Sequence, residues 1–236
     1  MALIAKESGG KEFEEVPVGN HRAICYKLAD AGTREEKFMD EEPKKRHTVF
    51  IFWELPDLRT SKDQPFSIFR EYTMSLNENS ALHKDLKSWR GKSFTEQELK
   101  AFDLTKILGV SCDLEVEHTS GGRAKVTSVF KPDGGAQKSP TANDPVVFDL
   151  EDYCKEFSDE SNDASKEMCD VFAGLPNFLC DKIDQSYEIA AAHAKSRKAE
   201  APKGLAAMAK MQQEAQEAQP AKDQPAAEFH DDEIPF

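Results

Sequence analysis

The chain has 236 residues, of which 39% are hydrophobic and 32% charged. That length fits one ordinary domain with additional chain, or two small domains, and the apolar fraction lies below the globular norm of about 45–50%. We therefore expect a folded part and an unfolded part. No apolar run approaches the roughly 20 residues of a membrane helix, and charged residues follow Met1–Lys6 where a signal peptide would have its apolar stretch. The sequence predicts a cytoplasmic protein that does not contact a membrane.

The cysteine and histidine patterns argue against metal sites, disulfides and enzymatic chemistry. Five cysteines are an odd number, and none form a C-x-x-C pair, which disfavours a zinc ribbon or a disulfide scaffold. The six histidines show no ligand spacing. The sequence also lacks a phosphate-binding glycine motif, a nucleophile elbow and a zincin motif. We expect a protein that is not an enzyme and that carries no cofactor and no metal.

The acidity of the chain is concentrated in its C-terminal part. The formal charge is −13, yet residues 1–130 hold 20 basic and 22 acidic residues, while residues 131–236 hold 11 and 22. A nearly neutral N-terminal domain can still carry a basic surface, so the net charge does not exclude nucleic acid as a ligand.

The N-terminal part shows strand, strand, strand, helix, strand, strand. Alternating or β-branched runs predict strands over 18–30, 48–53, 66–76, 112–116 and 124–128, with a polar loop over 30–46. Ser80 begins a helix that ends at Gly91, and Thr95 with Glu98 forms a capping box. Ser120-Gly121-Gly122 predicts a hairpin between the last two strands. This order is typical of a mainly β, five-stranded OB-fold barrel with its helix between strands 3 and 4. Other small β-barrels and α+β domains also mix such elements.

The C-terminal part changes character after Lys131. A break at 132–135 is followed by nine acids and two lysines over 149–170, and then by helix-like apolar spacing from Phe172 to Ile183, with Pro176 near a helix start. Residues 195–228 have the composition of a disordered linker. We predict an OB-fold core over 1–131, an acidic extension with short docked helices over 132–192, and a disordered linker with an acidic tip over 193–236.

The last six residues place three acids before an apolar end. An exposed Ile-Pro-Phe has no core to join, and its ring and terminal carboxylate suit an apolar pocket with a basic rim on another protein. The alternative is a solubilising tail that happens to end in phenylalanine. The predicted partner-binding residues are Asp231, Asp232, Glu233, Ile234, Pro235 and Phe236.

This tip resembles that of bacterial single-stranded DNA-binding proteins, which end in Asp-Asp-Asp-Ile-Pro-Phe; Glu233 is the one departure. The body resembles a bacteriophage OB-fold family of single-stranded DNA-binding proteins. That resemblance rests on Tyr72–Leu76, Ser88–Thr95, Phe102–Leu104 and Leu108–Gly109, with a later echo over Phe172–Leu179 and Ile183. It implies coating of single-stranded DNA during phage replication, recombination or repair, in the cytoplasm of an infected bacterial host. It also implies recruitment of a polymerase, primase, helicase or nuclease through the tip.

Binding a single strand without sequence preference needs flat rings beneath the bases and cations along the phosphates. On the second strand, Phe50 and Phe52 have the parity that faces outward, unless residues 149–183 cover them. On the third strand, Phe69 has the polar parity beside Arg70, and Tyr72 has the apolar parity. Because a bulge could exchange the inner and outer faces of this strand, Phe69, Arg70 and Tyr72 are all candidates. Trp89 has core spacing and is expected to pack.

The candidate phosphate contacts lie at predicted loops, at what would be the rims of an OB-fold groove. They are Lys44, Lys45 and Arg46 in the first loop, Arg59 and Lys62 in the second, and Arg123 and Lys125 at the last hairpin.

Two other functions remain open from the sequence. An acidic protein that mimics DNA and occupies a DNA-processing enzyme would also suit residues 149–170 and the tip. A strand-annealing protein on the same fold cannot be separated from a passive coat by sequence, and a homodimer is left open.

Overall fold

In the computed structural model the described residues are 14–37, 42–157 and 161–195. The predicted tip, Asp231–Phe236, and the predicted linker from residue 196 onward lie outside them.

One long strand organises the mainly antiparallel, six-stranded sheet, because β1 pairs with three neighbours. It pairs antiparallel with β2 and β4 and parallel with the short β6. The strands are β1 (Gly19–Glu36), β2 (Lys44–Arg59), β3 (Pro65–Thr73), β4 (Ser111–His118), β5 (Ala124–Phe130) and β6 (Val146–Phe148). The five longer strands match the predicted ones; β6 was not predicted, and its three residues are too few to show a period.

The predicted loop over 30–46 is wrong, because both flanking strands continue into it. Glu35 lies opposite Lys45 and Glu36 opposite Lys44 in the β1–β2 ladder. Opposite charges that face each other across two strands stabilise the pairing. A run of charges that looks like a loop is therefore the far end of a long hairpin.

Two irregularities in β1 shift its register against β2, between Cys25 and Lys27 and between Asp30 and Gly32. An extra residue at a bulge turns the following side chains to the other face. Strict alternation would put Tyr26 on the same face as Leu28. Because of the first bulge, Tyr26 packs on the opposite side of the sheet from Leu28.

The helix between β3 and β4 forms as predicted. In α1 (Ala81–Arg90) the Ser80 hydroxyl accepts a bond from the His83 amide, and Gly91 ends the helix with a φ of 64°. A side chain rarely adopts that left-handed conformation, which suits glycine. The capping box of Thr95 and Glu98 opens α2 (Glu96–Lys100).

The inner core lies between one face of the sheet and α1. Trp53 on β2 is fully buried, and its ring centroid lies 6.2 Å from that of Trp89. Trp89 is 2% exposed, and its indole N–H donates to the Ser111 carbonyl at 2.7 Å. The prediction that Trp89 packs is confirmed.

The sheet order is β3-β2-β1-β4-β5, so β3 and β5 are its two ends. These ends approach each other, but among the described residues no ladder joins them. Arg70 on β3 spans the gap and donates to the Thr127 carbonyl on β5 at 2.9 Å.

The opposite face of the sheet carries the outer core, beneath what we call the helical cover. The cover comprises α3 (Leu150–Lys155), α4 (Asp163–Ala173), α5 (Asn177–Asp184) and residues 187–193 of a last helix that continues to residue 195. Pro176, predicted near a helix start, is the N-cap of α5, and Leu179 and Ile183 are fully buried against the sheet. Complete burial of such a side chain stabilises the fold by about 1.5–3 kcal/mol.

Polar contacts attach the cover to the far end of β1. Glu188 accepts from the amide and hydroxyl of Thr33 at 2.8 and 2.6 Å. Arg34 donates to the Lys182 carbonyl at 3.4 Å and to Glu71 at 2.8 Å. The described residues up to His193 form one compact unit. Within the described ranges, no helix is long and apolar enough to cross a bilayer.

Candidate nucleic-acid interface

The outer face of the sheet brings three predicted aromatic residues together. Phe52 lies opposite Lys27 on β1 and opposite Phe69 on β3, so the three form one row across the sheet. Phe50 follows in the next row, opposite Ala29 and Glu71. The parity predicted for β2 is therefore confirmed.

The exposure expected for Phe50 and Phe52 is wrong. They are only 1% and 4% exposed, because the helical cover packs over them. The alternative prediction, that residues 149–183 cover this face, is the correct one. Neither ring is accessible to a base in this conformation.

Phe69 is the exposed member of the row, and it acquires a partner from the cover. Its ring lies 4.9 Å from that of Phe178 on α5, centroid to centroid, at an angle of 22°. Phe69 is 41% and Phe178 39% exposed. We call this stacked pair the aromatic platform. Each ring rests on the buried Phe50 as well, at 5.8 and 6.0 Å, so the platform is supported from below.

Two lysines lie beside the platform, each over a buried ring. Lys27 Nζ lies 5.6 Å from the ring centroid of Phe52, and Lys182 Nζ lies 5.1 Å from that of Phe50. Partial burial lowers the pKa of Lys27. Lys182 also pairs with Glu71 at 2.5 Å, which Arg34 shares. Rings with neighbouring ammonium groups can stack a base and contact a phosphate.

Tyr72 and Arg70 do not belong to this surface. Tyr72 is 2% exposed in the inner core and donates to the Asp85 carboxylate at 2.8 Å. Arg70 pairs with the same carboxylate at 2.8 Å. Burial, with the neighbouring Asp85 charge, raises the pKa of Tyr72 well above its usual value, and burial raises the pKa of Asp85 despite Arg70. The bulge considered for β3 is absent from its described pairing with β2 over residues 66–73, so the even-numbered residues stay inside.

The predicted cations do not converge on one rim. Lys44, Lys45 and Arg46 lie where β2 begins, beside the cover: Lys45 Nζ stands 4.2 Å from the ring centroid of Tyr187. Arg59 and Lys62 lie at the opposite end of β2, around the turn into β3.

The exposed Arg123 and Lys125, at the β4–β5 hairpin, share that second end. Glu14 accepts from the Ser61 amide at 2.9 Å, while Glu15 accepts from the Ala124 amide at 2.9 Å. This short segment of chain therefore links the β2–β3 turn to the hairpin. Four of the seven cations predicted at loops lie around it.

Sequence reasoning missed Phe178, Lys27 and Lys182. Phe178 stands outside the stripe of Leu175, Leu179 and Ile183, which repeats every four residues and marks the buried side of α5. A large ring next to such a stripe was the available signal. Among the described residues, no group of three or more His, Cys, Asp and Glu side chains could hold a metal.

Comparison with known proteins gave no family: no protein-family model matches the chain, and no curated protein matches it.

Proposed function

We propose that the protein binds single-stranded DNA without sequence preference. The aromatic platform carries this proposal: two stacked, half-exposed rings on the outer face of a sheet, with Lys27 and Lys182 beside them. Base–aromatic stacking contributes about 1–3 kcal/mol per base and tolerates any base, because every base has a flat face.

The strand order supports an OB-fold as the framework of this site. A sheet ordered β3-β2-β1-β4-β5, with a helix between β3 and β4, has the connectivity of a five-stranded OB barrel whose last seam lies between β3 and β5. In our proposal Arg70 occupies that seam. OB-folds bind oligonucleotides on the face of strands 2 and 3, where Phe69 lies.

The proposed biological role is the coating of single-stranded DNA in phage replication, recombination and repair. Recruitment of replication and repair proteins is assigned to Asp231–Phe236, and this part of the proposal rests on the sequence of the tip. In this proposal the three acids attract the tip to a basic rim on the partner protein, and Ile-Pro-Phe binds in an apolar pocket of that protein.

One observation favours a second function, that of a DNA mimic. The helical cover exposes Asp163, Glu167, Asp170, Asp181 and Asp184 on α4 and α5. A row of carboxylates on a rigid surface can occupy the DNA site of another enzyme, and it would repel a nucleic acid on that side of the platform.

Titration of fluorescent oligo-dT at several salt concentrations separates the two functions. A protein that neutralises Z phosphates of a single strand shows a log–log salt slope of about −0.7Z. We expect binding with such a slope and weaker competition by duplex DNA. If protein without residues 228–236 fails to bind oligo-dT even at low salt, single-stranded DNA binding is wrong and the mimic is favoured.

A further inference from the structure

A second basic surface lies away from the platform, around the C-terminal end of α1. Lys84 and Lys87 project from α1 one turn apart, on the side opposite the buried Leu82 and Leu86. Lys92 follows the glycine that ends the helix, and all three lysines are exposed.

Lys131, which follows β5, joins this group. A Cβ placed on Gly91 would stand 2.7 Å from Cδ of Lys131 and 3.5 Å from its Nζ. The Lys131 side chain therefore lies across the left-handed turn at Gly91, next to Lys92. We call Lys84, Lys87, Lys92 and Lys131 the α1 lysine surface.

Two acids close to this surface, Asp85 on α1 and Glu98 on α2, are paired with arginines. Asp85 accepts from Arg70 at 2.8 Å, and Glu98 pairs with Arg90. None of the ion pairs between described residues uses any of the four lysines. Positive charge is thus concentrated on this surface, whereas the chain as a whole is acidic.

Three of the four lysines line a shallow depression of about 410 Å³. Its lining is Lys84, Lys87, Ser88, Gly91, Lys92 and Ser93, which includes no acid and no apolar side chain except the methylenes of the lysines. An adjacent depression shares Lys84 and Ser88 and extends to Phe130 at the end of β5. Phe130 is 43% exposed.

We propose that the α1 lysine surface and Phe130 hold a second segment of the bound DNA strand, an inference that rests on the proposed function. Cations along a shallow track with an exposed ring beside them form the combination that binds single-stranded nucleic acid. The acidic tip would satisfy the lysines, but its Ile-Pro-Phe end needs an apolar pocket, and the lining of the lysine depression offers none. Phosphates and bases therefore fit better than the tip.

Matched charge removal in the full-length protein tests this surface. Lys84→Ala/Lys87→Ala removes two charges from it, and Lys166→Ala/Lys195→Ala removes two from exposed positions of the C-terminal helices. If both α1 lysines meet phosphates, the log–log salt slope for an oligo-dT of about 30 nucleotides falls in magnitude by ~1.4, which corresponds to about 25-fold weaker binding at 0.1 M salt. The control double variant should change neither value.

Oligonucleotide length and the ring give two further readouts. An oligo-dT of about 8 nucleotides can occupy the platform alone, so the Lys84→Ala/Lys87→Ala variant should bind it nearly as tightly as the parent. Phe130→Ala should weaken binding of the long oligonucleotide by about 5- to 150-fold, the range for one lost stack. Phe130→Trp should restore it.

The outcomes separate this inference from the function on which it rests. No binding of oligo-dT by the parent protein overturns both. Tight binding by the parent together with identical slopes for the two double variants overturns the α1 lysine surface alone. A synthetic peptide of residues 228–236 is the last probe: if Lys84→Ala/Lys87→Ala abolishes peptide binding and leaves the long oligonucleotide unaffected, the surface binds the tip, and our proposal is wrong.

Discussion

The ring of Phe69 on β3 stacks on the ring of Phe178 on α5, although 109 residues separate them along the chain. The sheet and the helical cover each contribute one half of the aromatic platform. A cover that only shielded the sheet would not need a half-exposed ring at its edge.

Phe69 and Phe52 should respond differently to truncation. We expect Phe69→Ala to weaken oligo-dT binding by about 1–3 kcal/mol, because one stack is lost, and to leave the melting temperature almost unchanged. Phe52→Ala removes a buried ring and should lower the free energy of unfolding by about 3–5 kcal/mol. Fluorescence anisotropy and thermal melting measure the two effects. A Phe69→Ala variant that loses cooperative melting would show that this ring is structural.

Arg70 should matter for stability. Arg70→Met leaves the mostly buried Asp85 carboxylate without its cation, and we expect the free energy of unfolding to fall by about 3 kcal/mol. Asp85→Asn in the same chain removes the unpaired charge and should recover part of that loss. Urea unfolding of both single variants and the double variant gives the coupling free energy. Simple additivity of the two single losses would contradict a direct pair.

Stability should depend on pH through His47. Its Nε2 lies 2.6 Å from the Asp30 carboxylate, and this hydrogen bond raises the pKa of His47; the nearby Glu188 acts in the same direction. A raised folded-state pKa favours the protonated form, so the stabilisation is complete below the ordinary value of about 6.5 and is lost as the pH rises through the folded value.

Thermal melting from pH 6 to pH 9 checks this expectation. The parent should lose melting temperature across that range, and His47→Gln, which cannot titrate, should lose less. Parallel curves for the two proteins would assign the dependence to other groups.

The acidic tip should compete with DNA. An acidic segment tethered to a domain that carries basic surfaces has an effective concentration in the millimolar range, so even a weak contact is populated. Removal of residues 228–236 should therefore tighten oligo-dT binding, most at low salt, where screening is least. Equal affinities of the two proteins at low salt would contradict competition.

Phe236→Ala separates competition from recruitment. The three acids remain, so oligo-dT affinity should stay at the full-length value, while binding of partner proteins falls. Pull-down of candidate replication proteins with the parent and the variant measures the second effect. A partner that binds the variant normally does not use the terminal ring.

Local signals in the sequence predicted local structure well. Ser80, Gly91 and the pair of Thr95 and Glu98 fix helix ends through contacts within a few residues, and such contacts can be read from the chain directly. The alternation of β2 gave the correct face for Phe50 and Phe52 for the same reason.

The alternation of side chains could not predict how exposed each face of the sheet is. Side-chain period tells which residues share a face of a strand, but not which distant segment covers that face. Phe50 and Phe52 were expected to be exposed to solvent but are covered by the helices. Phe69, on the same face of the sheet in β3, remains half exposed. The bulge at Tyr26 could not be predicted either, because an extra residue in a strand does not change the composition of the sequence around it. The candidate site could therefore be predicted only in part.

The burial of β1 and β2 between the inner and outer cores has a consequence for hydrogen exchange. Most amides in their shared ladder are covered on both faces of the sheet, from Cys25 opposite Trp53 to Ala29 opposite Phe50. Their protons should exchange with solvent only when the whole domain unfolds. Amides of β3 and β5 that face the gap bridged by Arg70 need only a local opening, so the gap-facing amides of β3 should exchange much faster than the ladder amides of its neighbour β2.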